Sequence, residues 1–171
     1  IIGAGGIGFD VAEFLLHQEK EKLTSIEAYM DEWGVDMDYN EAGGLKSPVQ
    51  PLKTKDITIC QRSKGKLGAN LGKTTGWIHR RSLRQREVEM LSECEYLRID
   101  DEGLHVTTNG EMRILAADHI IICAGQVPAR ELFVPIQSAG IEVHLIGGAD
   151  VAQELDAKRA IRQGTEMALK I

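Results

Sequence analysis

Three glycines at the start of the chain have the spacing that a dinucleotide phosphate requires. They form the pattern Gly3-x-Gly5-x-x-Gly8, after the apolar pair Ile1-Ile2 and before an amphipathic segment, Phe9 to Lys20. Glycine permits a tight turn, backbone approach to a pyrophosphate and close packing of a helix on a strand. Free N–H groups and the helix dipole favour an anion at that helix N-terminus. The pattern therefore predicts a pyrophosphate site formed by Gly3, Ala4, Gly5, Gly6, Ile7 and Gly8.

A basic loop follows the second predicted strand. The β-branched run Ile57 to Gln61 predicts a short buried strand, and the chain continues as Arg62-Ser63-Lys64-Gly65-Lys66. A site for NAD usually has an acid about 20 residues after the glycines, where it binds the ribose 2′-hydroxyl. The acids at that distance lie instead in a charged helical patch: Glu27, Asp31 and Glu32. An arginine and two lysines match a ribose 2′-phosphate by charge-assisted hydrogen bonds, so the loop favours NADPH over NADH.

The elements that must position these residues are interrupted by a polar stretch. Residues 19–55 read as an insertion that holds a short helix, Ser25 to Trp33, and then loosens at its glycines and prolines. After the basic loop, Thr74 or Thr75 begins a helix that contains Trp77. Two interpretations of Trp77 stay open: it covers the adenine or the phosphate loop, or it is an ordinary half-buried helix residue.

The rest of the chain is predicted to be mostly strands. Val88 to Ile99 and Gly103 to Leu115 read as successive strands, and the Asn109-Gly110 dipeptide marks a hairpin turn in the second. A continuous apolar run predicts a strand buried on both faces, His119 to Gly125. A further strand and a closing helix are predicted at Val143 to Ile146 and Leu155 to Leu169.

Charge and cysteine usage exclude several function classes. The net charge is −6, yet the stretch from Lys53 to Arg86 holds ten Lys or Arg residues and one acid, Asp56. A local surplus of positive charge in an acidic protein favours one bound anion over general nucleic-acid binding.

No apolar run reaches the roughly 20 residues of a membrane helix, and no signal peptide is visible, so we expect a cytoplasmic protein. The three cysteines lie far apart in sequence, and their spacing predicts no metal site: Cys60, Cys94 and Cys123. The spacing of the histidines predicts none either.

Several blocks of the sequence resemble the bacterial NADPH-dependent 2,4-dienoyl-CoA reductases. The most specific is Leu71-Gly72-Lys73-Thr74-Thr75-Gly76-Trp77-Ile78-His79-Arg80, whereas the glycine fingerprint and the A-G-x-x-P element are shared with many flavoproteins. The other blocks are Gly3 to Phe14, Ile122 to Pro128 and Leu145 to Ala157. The resemblance covers nearly the whole chain.

The resemblance implies an α/β fold in two parts. Residues 1–124 would be a Rossmann-like NADPH-binding domain, a parallel sheet with a β-meander crossover. Residues 125–171 would be the C-terminal return segment of an FAD-binding domain. Because the chain begins within its first strand, we expect an upstream part that carries the rest of the FAD domain and a barrel with FMN and a 4Fe-4S cluster. Electrons would pass from NADPH to FAD, the cluster, FMN and dienoyl-CoA, in the β-oxidation of unsaturated fatty acids.

The resemblance also implies site residues. The expected NADPH contacts are Gly3 to Gly8, Arg62, Ser63, Lys66 and Trp77. Flavin or nucleotide contacts are expected at Ala124, Gly125, Gly147, Gly148, Ala149, Asp150 and Val151. The family's usual turn there is Gly-Asp, and this chain has extra residues before Asp150. No catalytic side chain is expected in this segment, because the chemistry belongs to the cofactors, and the segment alone should be inactive.

Three alternatives stay open. The chain could belong to another flavin-dependent pyridine-nucleotide oxidoreductase. It could also be a nucleotide-binding module without catalysis. The third alternative, nucleic-acid binding by the basic stretch, predicts steep salt dependence without competition from NADPH.

Overall fold

The computed structural model describes residues 1–16, 25–49, 53–153 and 156–171. These residues divide into two units, Ile1–Ala124 and Gly125–Ile171. The first unit contains α1 (Gly6–Leu16), α2 (Ile26–Trp33), β1 (Thr58–Cys60), α3 (Gly76–Gln85), β2 (Glu89–Leu91), β3 (Glu95–Asp100), β4 (Gly103–Thr108) and β5 (Glu111–Leu115). The second contains α4 (Phe133–Ser138), α5 (Gly147–Asp150) and α6 (Ala157–Ala168). The predicted end of the first helix, parts of the insertion and the predicted start of the last helix at Leu155 lie outside the described residues.

A parallel sheet crosses the first unit. β1 pairs in parallel with β2, and Ile2 forms parallel bridges with both Cys60 and Ile122. The Gly3 amide donates to the Cys60 carbonyl (2.8 Å), and the Cys123 amide donates to the Ile2 carbonyl (2.7 Å). The order β2, β1, Ile2, Ile122 is that of one half of a Rossmann fold. The predicted α/β fold with a parallel sheet is confirmed.

Apolar clusters lie against both faces of this sheet because side chains alternate along a strand. One cluster joins α1, α3 and β1 through Phe9, Leu83 and Ile59, all fully buried. The other joins Ile2 to Leu104 and Val106 of β4. Burial of these side chains supplies the main stabilisation, about 25 cal/mol for each Å² of apolar surface removed from water.

A three-stranded antiparallel meander, in the order β3-β4-β5, provides the second cluster. Asn109 and Gly110 both have positive φ, 51° and 83°, as a two-residue type I′ hairpin requires, so the predicted turn is confirmed. The predicted single strand Val88 to Ile99 is wrong. It is two strands in two different sheets, because the chain turns at residues 92–94 after pairing with β1 and then pairs with β4.

The described part of the insertion is a helix and an ordered loop. Ser25 caps α2 by accepting a hydrogen bond from the Ala28 amide (3.1 Å), which confirms the predicted helix. Gly34 ends α2 in the left-handed conformation (φ 70°), and the Val35 amide donates to the Met30 carbonyl (2.8 Å). A 3-10 helix, Ala42–Gly44, follows.

Asp36 organises this loop, and we expect its contribution to stability to depend on pH. Its carboxylate accepts hydrogen bonds from the amides of Glu41 (2.9 Å) and Asp38 (3.1 Å). These bonds, that of Glu41 first, lower the pKa of Asp36. The stabilisation is therefore fully present above the unfolded pKa of about 3.9 and is lost as the pH falls through the lowered folded pKa. In urea denaturation, Asp36→Asn should be less stable than wild type at pH 7, and the difference should shrink at pH 3. A difference equal at both pH values, or matched by Asp38→Asn, would contradict this role.

Two predicted strands are corrected. The segment from His119 to Gly125 is not buried on both faces: it contributes one bridge, at Ile122, whose side chain is 70% exposed. Ile122 lies at the edge of the described sheet, whereas Ile120 packs against the cluster around Ile2. Val143 to Ile146 forms no strand, since the described residues of the second unit include no strand with which it could pair.

The second unit is built around α6. Asp156 caps this helix by accepting a hydrogen bond from the Arg159 amide (2.7 Å), and the helix agrees with the predicted one apart from its ends. No helix in the described residues is both long and apolar enough to cross a membrane.

Candidate nucleotide-binding site

Two of the three fingerprint glycines are required by packing. Gly3 has a φ of +114°, and a Cβ there would lie 2.3 Å from the Cys123 carbonyl oxygen. A Cβ at Gly8 would lie 1.9 Å from the Gly3 carbonyl oxygen. The contact of Gly8 with Gly3 brings the first turn of α1 against the strand. In the dinucleotide fingerprint, a glycine at this position permits such close packing of the helix on the strand.

The remaining glycines leave the start of α1 open. A Cβ built at Gly5 or Gly6 meets no described atom within 4 Å, and both residues are exposed. The first amides of a helix have no partner within it, so the turn from Gly5 to Ile7 presents N–H groups and the positive end of the dipole. The space that a side chain would fill is thus available to a phosphate. The predicted residues Ala4 and Ile7 lie in this same turn.

The basic loop lies at the same edge of the sheet. Carboxyl ends of parallel strands meet at one edge, and the Gly3 amide is bonded to Cys60, the last residue of β1. The loop is ordered by Gln61, whose Nε2 donates to the carbonyls of Ser63 and Gly65 (3.1 Å each). Arg62, Ser63 and Lys66 are all exposed there. The structure therefore brings the predicted pyrophosphate turn and the predicted 2′-phosphate loop to one edge.

Contacts with both helices hold the far end of the basic loop. Leu67 is buried in the cluster of Phe9, and a Cβ at Gly68 would lie 2.8 Å from Cζ of Phe9. Arg80 Nη1 donates to the Gly68 carbonyl (2.8 Å). The loop is consequently positioned by α1 and α3, the two helices that line this side of the sheet.

Trp77 lies in the first turn of α3 and is 56% exposed. Its ring is 6.4 Å from the ring of Trp33, at an interplanar angle of 73°. Sequence reasoning missed Trp33, because no spacing rule connects residues 44 positions apart. Both interpretations of Trp77 still apply, and the contact adds a partner from the insertion.

Histidine and carboxylate groups meet at two places that sequence spacing did not indicate. His79 Nδ1 lies 3.0 and 3.1 Å from the Glu13 oxygens and so links α3 to α1. His105 Nε2 lies 2.8 Å from Asp100 Oδ1, and this hydrogen bond lowers the pKa of Asp100. Each group includes a second carboxylate within ligand distance, Asp10 and Glu102 respectively. The described contacts of both histidines are hydrogen bonds that join neighbouring segments of the fold.

The buried Cys60 is not suited to act as a nucleophile. Burial, followed by the neighbouring Cys94, raises the pKa of Cys60 to about 12. A thiol with this pKa stays protonated at neutral pH, and only the thiolate is reactive. Both side chains contribute to packing near β1.

The predicted flavin contacts fall at the junction of the two units and in the second unit. Ala124 and Gly125 follow the Ile122 strand, and Gly125 (φ +138°) has no described atom within 4 Å of a built Cβ. In the second unit, Gly147 to Val151 form α5 and its end. Gln163 joins the two ends of α5: it accepts from the Gly147 amide (2.8 Å) and donates to Asp150 Oδ2 (2.8 Å). Arg130 donates to the Ala149 carbonyl (2.7 Å). Gly148, Ala149 and Asp150 are half-buried.

Known proteins are similar to this chain in sequence or in fold. The family model described as pyridine nucleotide-disulphide oxidoreductase matches residues 1–159. A metal reductase of Desulforamulus reducens (strain ATCC BAA-1160 / DSM 100696 / MI-1) is 31% identical over 117 residues, which are 68% of this chain and 17% of the relative. A 2-naphthoyl-CoA reductase, solved in complex with 2-naphthoyl-CoA, has a TM-score of 0.65 and 19% identity over 99% of this chain and 20% of that one.

The structural likeness concerns the fold alone, and this chain spans at most a fifth of these relatives. The match to the family model extends over most of the chain and includes the glycine turn, the basic loop and α5. The chain belongs to the pyridine nucleotide-disulphide oxidoreductase family, whose members are flavoproteins that bind FAD and a pyridine nucleotide.

Proposed function

We propose that this chain is the NADPH-docking and electron-input part of a 2,4-dienoyl-CoA reductase. One observation carries the NADPH assignment: the open glycine turn at the start of α1 shares a sheet edge with the basic loop that contains Arg62 and Lys66. A dinucleotide phosphate presents two anionic groups, a pyrophosphate and a ribose 2′-phosphate. The two features supply one binding surface for each.

Different residues would bind the two anionic groups of NADPH. The Gly5 to Ile7 amides would donate to the pyrophosphate oxygens, where a helix N-terminus favours negative charge. Arg62 would bind the 2′-phosphate through its planar fork, and Lys66 would add a second positive charge. Ser63 offers a hydroxyl on the same exposed loop. NADPH, when bound, supplies a hydride, and the chain's own part is to hold and orient the cofactor.

The flavin side of the proposal concerns the second unit. Gly147 to Val151 and the junction Ala124-Gly125 would contribute to an FAD site. The half-buried Asp150, oriented by Gln163, would reach the ribityl chain, whose hydroxyls can donate to its carboxylate, or the pyrophosphate region. The rest of that site, and the FMN, 4Fe-4S and dienoyl-CoA sites, would lie in other parts of a longer polypeptide. Since the chain spans at most a fifth of its relatives, such a polypeptide has room for them.

Two findings support the choice of a CoA ester as the final acceptor. The block from Leu71 to Arg80 resembles the dienoyl-CoA reductases specifically, and the structural neighbour is a 2-naphthoyl-CoA reductase, whose substrate is an aromatic CoA ester. The metal reductase relative favours a second candidate, a reductase of this family with another electron acceptor. Both candidates share the NADPH-docking role and differ only in the acceptor. The chain alone would bind nucleotide without turnover.

The NADPH assignment is tested by calorimetric titration of the full 171-residue chain with NADPH and NADH. We expect a clear preference for NADPH in the wild type. Arg62→Ala should weaken NADPH binding about 10- to 100-fold, because a hydrogen bond to a charged group contributes about 1.5–3 kcal/mol. NADH binding should change little. The matched control is Arg98→Ala, an exposed arginine of β3.

Equal affinity for NADPH and NADH in the wild type would contradict the assignment. Binding to duplex DNA that NADPH does not displace, and that falls steeply with salt, would favour nucleic acid as the partner of the basic loop.

A further inference from the structure

The insertion places one aromatic side chain against another at the start of α3. Trp33 and Trp77 are the two tryptophans of the chain. Their rings meet nearly at right angles, 73°, with centroids 6.4 Å apart. An edge-to-face contact occupies at most one face of either ring. Trp77 remains 56% exposed, so an indole surface is open to a ligand.

The residues on either side of Trp33 in sequence make the contacts that position it. The neighbouring Glu32 carbonyl accepts from Gln85 Nε2 (3.3 Å), and Glu32 Oε1 accepts from Arg86 Nη1 (3.3 Å). The Arg86 side chain is 5% exposed, so this ion pair is shielded from solvent. On the other side, a Cβ at Gly34 would lie 2.5 Å from the Lys46 carbonyl oxygen, so the chain packs closely after α2. The insertion is therefore joined to α3 immediately beside Trp33.

Trp77 lies on the helix that contacts the chain just after the loop that the proposed function assigns to the 2′-phosphate. It is the second residue of α3, and the turn before it closes with a hydrogen bond from the Gly76 amide to the Gly72 carbonyl (2.7 Å). The Arg80 side chain, one helical turn further along α3, donates a hydrogen bond to the carbonyl of Gly68, two residues after Lys66. In NADPH, the adenine and the 2′-phosphate are attached to the same ribose. A flat side chain in the first turn of the helix that contacts the end of this loop is therefore suited to the adenine side of the cofactor.

We propose that Trp77 and Trp33 form an aromatic wall for the purine base of the bound nucleotide, with Trp33 as the positioning residue that orients Trp77. The inference rests on the proposed function, because it places the ribose 2′-phosphate at Arg62. It gives the insertion a part in the nucleotide site: α2 brings the second indole. Stacking on an indole contributes to the affinity for any ligand that carries the base and nothing to the affinity for a bare phosphate.

The test compares 2′,5′-ADP, which carries both the base and the 2′-phosphate, with inorganic pyrophosphate, which has no base. Trp77→Leu should weaken 2′,5′-ADP binding by about 5- to 100-fold, the range of base–aromatic stacking. Trp33→Leu should weaken it by a smaller factor, and Trp33→Phe should restore most of the loss. Pyrophosphate affinity should stay within about twofold in every variant, because phosphate contacts do not involve the indoles. Tyr39→Leu, an 81% exposed aromatic residue of the same insertion, is the matched control.

Fluorescence provides a second readout that a structural role would not affect. In Trp33→Phe the remaining indole is Trp77, and its emission should respond to saturating 2′,5′-ADP and stay unchanged with pyrophosphate. If a leucine variant fails to fold by circular dichroism, Trp33→Phe and its emission decide the question.

The outcomes separate the two proposals. Wild-type affinity for 2′,5′-ADP in both leucine variants, with binding lost in Arg62→Ala, overturns the aromatic wall and leaves NADPH docking intact. Loss of pyrophosphate binding in folded tryptophan variants also overturns it, since the pair then only supports the fold. Unchanged binding of 2′,5′-ADP in Arg62→Ala counts against the proposed function itself.

Discussion

Gly8→Ala is expected to destabilise the first unit by about 3 kcal/mol or more, at or above the upper end of the usual cost of overpacking. The added Cβ would lie 1.9 Å from the Gly3 carbonyl oxygen and 3.0 Å from the carbonyl carbon. Both are backbone atoms, so no side chain can rotate to relieve the contact. The start of α1 would have to move away from the strand, and the hydrogen bond from Gly3 to Cys60 would be disturbed. Urea denaturation followed by circular dichroism measures the loss.

Gly5→Ala separates packing from binding within the same motif. Its Cβ meets no described atom within 4 Å, so the free energy of unfolding should change by less than about 0.5 kcal/mol, as for surface substitutions generally. NADPH binding should nevertheless weaken, because the methyl group occupies the space proposed for the pyrophosphate. Wild-type stability in Gly8→Ala would show that the close approach is not needed. Wild-type affinity in Gly5→Ala would place the phosphates elsewhere.

Phe9→Ala is expected to cost about 3–5 kcal/mol, the range for a buried phenylalanine. Phe9 is 1% exposed and packs with Ile59 and Leu83 in the cluster between the helices and the sheet. Its ring also lies beneath Gly68, so the truncation should loosen the basic loop and weaken NADPH binding in the protein that remains folded. Urea denaturation and calorimetry measure the two effects.

The same helix supplies the control. Phe14 is 79% exposed, and Phe14→Ala should change the free energy of unfolding by less than about 0.5 kcal/mol. Equal losses in the two variants would mean that the effect of Phe9→Ala comes from helix propensity and not from the core.

The fold was predictable wherever a local pattern determines the structure. The glycine fingerprint, the Ser25 cap of α2 and the Asn109-Gly110 turn each specify backbone geometry through neighbouring residues. The division of Val88 to Ile99 was not predictable in this way. Both halves are extended, and only the partner strands differ, β1 for one and β4 for the other. The pattern of apolar residues along a strand does not show with which other strand it will pair.

The same limit applies to the candidate site. The glycine turn and the basic loop are continuous in sequence, so their residues could be named before their arrangement was known. The contact of Trp33 with Trp77 and the hydrogen bond between Glu13 and His79 join distant segments, and no spacing rule indicates them. The exposure of Ile122 could not be predicted either. An apolar run shows which residues can be buried, but it does not show whether one or both faces of the strand are covered.

The pairing of Ile2 with Ile122 has a consequence for how the chain folds. The two partners are separated by nearly the whole first unit, whereas the β3-β4-β5 meander closes through turns of two residues. Contacts distant in sequence form slowly because the intervening chain must lose entropy before they contribute energy. During synthesis, the strand around Ile2 emerges before the meander and lacks one of its two partners until residue 122 has left the ribosome. We expect the meander to form early and the central strand to be completed late, so the edge proposed to bind the nucleotide would be one of the last parts of the domain to form.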